Sequence, residues 1–241
     1  MIPPHGLPQR RPSAPQGRSS TPSRARSHSV AARATQGSLL TGDERARIKR
    51  IGEPIALLLG RLGLSPDALT IAGFGIVLVA AFTAAAGAWI ATAAILILGT
   101  LFDGLDGTLA RATGKTSDFG AFLDSTMDRA GEAVIYAGIA AGAAMNGTTE
   151  LIGLATLALG AGSLVSYVRA RGEGLGVCAN NGIAQRGERA AILIVGLITG
   201  GAITATWLAG ALLLISVLSA ITVVQRIRFI RAALATAGSR A

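Results

Sequence analysis

From residue 66 to about residue 86 the chain carries Asp67 as its only charged side chain, and five more apolar stretches follow at about 89–109, 119–144, 151–168, 190–206 and 208–227. Each is close to the roughly 20 residues that a bilayer core requires. A bilayer admits only helices or closed barrels, because no water is present to satisfy a bare backbone. These runs are rich in Ala, Leu, Ile and Gly and lack the period-2 alternation of a barrel strand. With 51% hydrophobic and 15% charged residues, the chain reads as an all-α integral membrane protein with six transmembrane helices.

The ends of the chain follow other rules. Residues 1–41 hold Pro3, Pro4, Pro8, Pro12, Pro15 and Pro22 among many Ser, Arg and Gln, with no apolar block that could build a core; they predict a disordered basic tail. Over residues 42–64, Ile48, Ile51, Ile55, Leu58 and Leu62 recur at three- and four-residue spacing with Arg47, Arg50, Glu53 and Arg61 between them. That pattern predicts an amphipathic helix lying along the membrane interface, with Pro54 as a kink. Residues 65–232 form the six-helix transmembrane catalytic domain and 233–241 a short C-terminal tail. Ser65 and Pro66 are suited to cap and start the first span.

The net charge of +9 at first suggests nucleic acid, but much of it lies in the tail, and aromatic residues make up only 4% of the chain. Stacking platforms for bases are therefore missing, and no nucleic-acid partner is expected. Basic residues beside a bilayer are drawn to anionic headgroups, at about 1 kcal/mol each near the surface. The connections around Gly87, 146–150 and 200–207 contain no Lys or Arg, whereas the alternate ones carry Arg111 and Lys115, then Arg169, Arg171, Arg186 and Arg189, then Arg226, Arg228 and Arg231. The positive-inside rule places that second set, and both termini, on the cytoplasmic face of the cell membrane.

Cys178 is the single cysteine and the two histidines, His5 and His28, both lie in the tail. Thiolate metal clusters and His-dependent nucleophilic catalysis are thereby excluded from the membrane portion, which leaves carboxylate or metal chemistry. Asp103 and Asp106 end the second span, and Asp124 and Asp128 open the third. The i,i+3 and i,i+4 spacings project each pair from one face of its helix. Four carboxylates in apolar surroundings raise one another's pKa unless a cation neutralises them. Oxygen-only donors select a hard ion, Mg²⁺ or Mn²⁺, and four of them have the donors for two. A two-metal site is the usual device for phosphoryl transfer. Gly104, Gly107 and Gly120 leave room beside the acids for a diphosphate to approach the backbone.

Asp103-x-x-Asp106-Gly107-x-x-Ala110-Arg111, then eight residues, then Gly120-x-x-x-Asp124-x-x-x-Asp128 resembles the complete signature of the CDP-alcohol phosphotransferases. The resemblance runs from about Arg47 to Arg231. It implies six transmembrane helices with an interfacial N-terminal helix, a homodimer, and transfer of a phosphatidyl group from CDP-diacylglycerol to an alcohol with release of CMP. By motif position it implies Asp103, Asp106, Asp124 and Asp128 as ligands of two Mg²⁺ ions, Asp128 also as the base that deprotonates the acceptor hydroxyl, and Asp67, Thr70, Gly107, Arg111 and Ser117 as the lining of the CDP-diacylglycerol site.

A second cluster, Ser166-Tyr167-Val168-Arg169-Ala170-Arg171, Arg186-Gly187-Glu188-Arg189 and Gln225-Arg226, favours an acceptor that itself carries a phosphate, because guanidinium groups bind phosphate in a bidentate fashion. Arg169, Arg171, Arg186, Arg189 and Arg226 are the expected acceptor-phosphate residues. These segments are similar to the phosphatidylinositol phosphate synthases of actinobacteria, which usually have Lys in place of Arg169 and Pro in place of Gly187. The resemblance implies inositol 1-phosphate as acceptor, with glycerol 3-phosphate as the competing phosphorylated polyol. An intramembrane prenyltransferase and a cation transporter are the alternatives of other classes. Gly138-x-x-x-Gly142 and Gly196-x-x-x-Gly200 predict close helix contacts, within the bundle by default.

Overall fold

The computed structural model describes residues 54–238, so the expected tail and the first part of the expected interfacial helix lie outside the described residues. The described residues contain seven helices and no strand. They are α1 (54–61), then α2 (Pro66–Ala85), α3 (Trp89–Ala112), α4 (Asp118–Met145), α5 (Thr149–Glu173), α6 (Arg186–Ala202) and α7 (Ala205–Gly238).

Local chemistry accounts for the boundaries. The Ser65 hydroxyl accepts a hydrogen bond from the Ala68 N–H at 3.1 Å, and Pro66 fills the first turn of α2, where no amide partner is needed. Ser117 caps α4 in the same way, accepting from the Gly120 N–H at 2.9 Å. After α2 the chain turns at Gly87, whose φ of 75° suits a residue without a side chain. The last helix runs beyond the expected end of its apolar stretch to Gly238, and its 34 residues span about 51 Å at 1.5 Å per residue. That exceeds the roughly 30 Å of a hydrocarbon core, and Arg226, Arg228 and Arg231 fall in the C-terminal part of α7.

Each of α2 to α7 packs against two others, α2 on α3 and α4, α4 on α5, α5 on α7, α7 on α6, and α6 back on α3, which closes a ring. Its interior is built from small side chains, including Ala80, Ala84, Ala93, Ala143, Ala155 and Ala158, with Ile139, Leu197, Leu208 and Leu212 filling between them. Large apolar side chains such as Phe82, Leu101, Phe122, Leu157, Val195 and Leu213 are exposed. Apolar surface in that quantity suits lipid rather than water. α2, α3, α5 and α7 are long and apolar enough to cross a membrane. By the same measure α6 is short at 17 residues, and every stretch of α4 long enough to cross includes Asp128, Arg129 and Glu132. The four apolar helices fall short of the six expected because α4, the third expected span, carries acidic and basic residues of the cluster and α6, the fifth, is short.

In α1, Ala56 is buried against Leu69 of α2 and Leu109 of α3, while Ile55, Leu57 and Leu58 are exposed. Both glycine pairs work inside the ring. A methyl group added at Gly138 would meet the Ala81 carbonyl and one at Gly142 the Ala84 carbonyl, so α2 and α4 touch backbone to backbone. Gly200 does the same for α6 and α7, where an added Cβ would lie 2.8 Å from the Leu208 Cβ. Gly142→Val should therefore lower stability by about 1–3 kcal/mol through overpacking. Gly153→Ala, with nothing within 4 Å of the new methyl, should be neutral or stabilising by about 0.4–1 kcal/mol. Thermal unfolding of the detergent-purified protein distinguishes them, and an unchanged melting temperature for Gly142→Val would contradict the backbone contact.

Candidate active site

Because the helices alternate in direction, the starts of α2, α4 and α6 and the ends of α3, α5 and α7 meet at one end of the ring. Every candidate functional residue lies there. Asp103, Asp124 and Asp128 each offer a carboxylate oxygen within 4.8 Å of the others, a spacing in which one cation can be held by all three. The donors are all oxygen, come from two helices and are half-buried, which fits a hard divalent ion.

Asp106 is the fourth acid of the motif but is turned aside. It is buried, its Oδ2 accepts a 2.6 Å hydrogen bond from the Thr70 hydroxyl of α2, and its Oδ1 accepts from the Gly107 N–H. It lines a cavity of about 230 Å³ together with Asp67, Thr70, Gly107, Arg111, Ser117, Gly120 and Asp124. All five residues expected to bind the nucleotide lipid are in that one wall. The glycines keep it open: a Cβ at Gly107 would lie 3.2 Å from Nη1 of Arg111, and one at Gly120 would lie 3.2 Å from the Ser117 hydroxyl. Ser117 was expected as a nucleotide contact, and its role as the α4 cap gives its position a structural reason as well.

On the other side of the acids is a cavity of about 400 Å³ lined by Asp124, Asp128, Arg129, Glu132, Ser166, Arg169, Glu173 and Arg186. It adjoins one of about 250 Å³ in which Arg129, Arg169, Arg186, Arg189 and Arg226 converge. Four of the five arginines expected to hold a phosphate are thus brought together. Arg171 is exposed and lines neither cavity.

The four differ in freedom. Arg189 is 2% exposed and commits all three nitrogens, Nε and Nη2 to Glu132 at 3.1 and 2.6 Å and Nη1 to the Ala184 carbonyl at 2.9 Å. Arg226, 3% exposed, donates to the Asn181 and Val165 carbonyls at 2.9 and 2.7 Å. Together they pin the connection between α5 and α6, which also bonds from the Ala184 N–H to the Thr222 hydroxyl at 3.0 Å. Gly182 in that connection has φ 127°, and a Cβ there would collide with Thr222. Arg169 is more exposed and pairs with Glu173 one turn on, at 2.9 Å. Arg186 bridges two of the acids, Nη1 to Asp103 Oδ2 and Nη2 to Asp128 Oδ1, both at 2.7 Å.

Two residues of this site were not singled out from the sequence. Glu132 continues the Asp124, Asp128 series by another four residues on the same face of α4, a spacing that was there to be read. Arg129, next to Asp128 in sequence, lines both basic cavities.

Residues 64–236 match the family model of CDP-alcohol phosphatidyltransferase. The chain belongs to this family. It is thus a CDP-alcohol phosphatidyltransferase, a multi-pass membrane enzyme. The chain is 39% identical over 186 residues to the archaetidylinositol phosphate synthase of Methanothermobacter thermautotrophicus, covering 77% of this chain and 91% of that one. It is 35% identical over 190 residues to the phosphatidylinositol phosphate synthase of Mycobacteroides abscessus, covering 78% and 86%. The crystal structure of the Mycobacterium tuberculosis phosphatidylinositol phosphate synthase with CDP-DAG bound superposes with a TM-score of 0.70 at 33% identity, covering 75% of this chain and 94% of that one. That enzyme has also been solved in complex with manganese and citrate, with a TM-score of 0.69 at 32% identity over 74% of this chain and 88% of that one.

The unequal roles of the arginines make a testable distinction. Arg189→Ala leaves Glu132 without its partner in a site 18% exposed, and breaking a buried pair costs about 3–5 kcal/mol, so the melting temperature should fall. Arg169→Ala removes an exposed pair and should leave it unchanged within error. Equal melting temperatures for the two variants would contradict the staple role of Arg189.

Proposed function

We propose that this transferase moves the phosphatidyl group of CDP-diacylglycerol to inositol 1-phosphate and releases CMP. The observation that carries the proposal is the meeting of two cavities on the acidic cluster: Asp124 lies in the wall of both the nucleotide-side cavity and the cavity that leads to the arginines. The relatives are named for two different lipid moieties but for the same inositol phosphate, which supports the acceptor. A solved neighbour that holds CDP-DAG supports the donor.

Asp103, Asp106, Asp124 and Asp128 would hold two divalent ions, Mg²⁺ in the cell and Mn²⁺ as a substitute, with Asp106 turning from Thr70. Such ions supply charge neutralisation of the diphosphate. The chain's own groups do the rest. Asp67, Thr70, Gly107, Arg111 and Ser117 seat the cytidine diphosphate. Arg169, Arg189 and Arg226, with Arg186, hold the acceptor's phosphate, and Arg171 lies outside both cavities. Asp128, in the wall of the acceptor cavity, takes the proton of the attacking hydroxyl. The new O–P bond forms at the lipid-linked phosphorus as its bond to the CMP oxygen breaks, and that oxygen leaves with the bonding pair.

We place α2 to α7 across the plasma membrane as six spans, with the active site and both termini cytoplasmic, since the Lys and Arg residues of the connections cluster at the end that holds the acids. α1, with Ile55 and Leu58 exposed, lies in the interface ahead of the catalytic domain that begins at residue 65. The enzyme pairs as a homodimer in the bilayer, as the family resemblance implies.

Release of CMP from CDP-diacylglycerol with Mg²⁺ tests the proposal, with inositol 1-phosphate, glycerol 3-phosphate, serine and inositol as alternative acceptors. Inositol 1-phosphate should support turnover well above the other three, and equal rates with free inositol or serine would overturn the acceptor assignment. Asp128→Asn should abolish turnover while leaving CDP-diacylglycerol binding largely intact; undiminished turnover would remove Asp128 as the base.

A further inference from the structure

Arg186 stands at the first residue of α6 and is the residue shared by three cavities: the interior one under the acids, the acceptor cavity and the arginine-lined one. Its guanidinium fork joins α3 to α4 through Asp103 Oδ2 and Asp128 Oδ1, at 2.7 Å each. These two carboxylates also belong to the group whose oxygens lie within 4.8 Å of one another. A hard divalent ion needs its carboxylate oxygens at about 2.0–2.1 Å for Mg²⁺ and a little more for Mn²⁺. An ion held by those oxygens would thus lie within a few ångströms of the guanidinium, like charge against like charge. The two cations would therefore compete for the same two carboxylates.

We propose that Arg186 and the divalent ion are alternative occupants of Asp103 and Asp128, and that Arg186, once displaced, swings into the acceptor cavity to complete the phosphate site. The inference rests on the proposed function for its metal and its acceptor. The side chain is suited to the exchange: it is 45% exposed, and it already borders the cavity shared with Arg129 and Arg169, whereas Arg189 and Arg226 are tied down by buried hydrogen bonds. Metal and acceptor then favour each other, because the ion frees the arginine that the phosphate needs, and such coupling is reciprocal. Without the ion, Arg186 keeps the acids neutralised and the helices joined.

The test compares the full-length chain with Arg186→Gln in detergent, using Mn²⁺ as the probe and counting free ion by electron paramagnetic resonance. Removing the competitor should tighten Mn²⁺ binding on the order of tenfold. Arg129→Gln also removes a positive charge, one whose nitrogen lies 4.0 Å from Asp128, but it frees no shared oxygen pair and should shift the affinity by clearly less. Arg186→Gln should melt below the wild type in EDTA, and the gap should close in saturating Mn²⁺. With Mn²⁺ saturating, the variant's KM for inositol 1-phosphate should rise about tenfold while its KM for CDP-diacylglycerol holds. Unchanged or weaker Mn²⁺ binding by Arg186→Gln, a shift matched by Arg129→Gln, or a melting gap that persists in Mn²⁺ would each overturn the exchange and leave the proposed reaction standing. An acceptor KM that does not move would overturn the delivery of Arg186 to the phosphate. If neither protein binds Mn²⁺, the proposed metal site itself fails and takes this inference with it.

Discussion

The arrangement depends on gathering a group of carboxylates at the end of an apolar helical ring. Asp103, Asp106, Asp124, Asp128 and Glu132 come from two neighbouring turns of α3 and three of α4, and such a group takes up protons unless positive charge or strong donors face it. Each acid has an assigned neighbour among the described residues. Glu132 receives Arg189, Asp103 and Asp128 share Arg186, and Asp106 receives the Thr70 hydroxyl and the Gly107 amide. Asp124 contributes to the three-acid group and borders the cavities on either side of it. Apart from the Gly107 amide, which α3 itself supplies, the partners come from α2 and α6, so the charges can be balanced only once the ring has closed. Folding and assembly of the site are the same event.

Closure in turn depends on how near the helices can come. Where Gly138 and Gly142 face Ala81 and Ala84, the backbones of α2 and α4 meet without side chains between them. That contact lies toward the far end of both helices from the acids. A bulkier residue there would act as a wedge, and rigid helices would carry the displacement along their length to Thr70 and Asp106, which meet at 2.6 Å. Close packing of small residues takes the place of a hydrophobic driving force that lipid does not provide between helices.

Much of this was legible in the sequence for identifiable reasons. Six long helices follow from six apolar stretches, and Ser65 with Pro66 marks a helix start that the capping bond confirms. The nucleotide-side residues Asp67, Thr70, Gly107, Arg111 and Ser117 were legible through the resemblance of their motif, since periodicity pairs Asp67 with Thr70 and Gly107 with Arg111 but does not by itself bring three helices together. The arginines were less so. Spacing shows that Arg186, Arg189 and Arg226 approach one end of the ring, but it does not show that Arg189 finds Glu132 fifty-seven residues away or that Arg226 finds two backbone carbonyls. Those are tertiary pairings, set by the path of the 174–185 connection. Arg171 illustrates the same limit: two residues from Arg169 on a helix it points elsewhere, since i and i+2 do not share a face.

A phosphate-binding pocket needs two things from its arginines, a fixed position and donors left to give, and one side chain rarely supplies both. Arg189 and Arg226 supply position. Their buried guanidinium groups are held by carbonyls and a carboxylate, which fixes where positive charge sits but leaves few N–H groups free. Arg129, Arg169 and Arg186 supply donors, being more exposed and held by partners that a dianion can outcompete. Placed on three different helices, α4, α5 and the start of α6, these arginines can close on a phosphate from different sides, while the buried pair keeps the wall behind it from moving. In the proposed reaction the hydroxyl to be activated would have to reach Asp128 from a phosphate held at the arginines, so acceptor length would become a matter of geometry: the carbon skeleton of the acceptor would have to span the cavity of about 400 Å³ that Arg129, Arg169, Arg186 and Asp128 line.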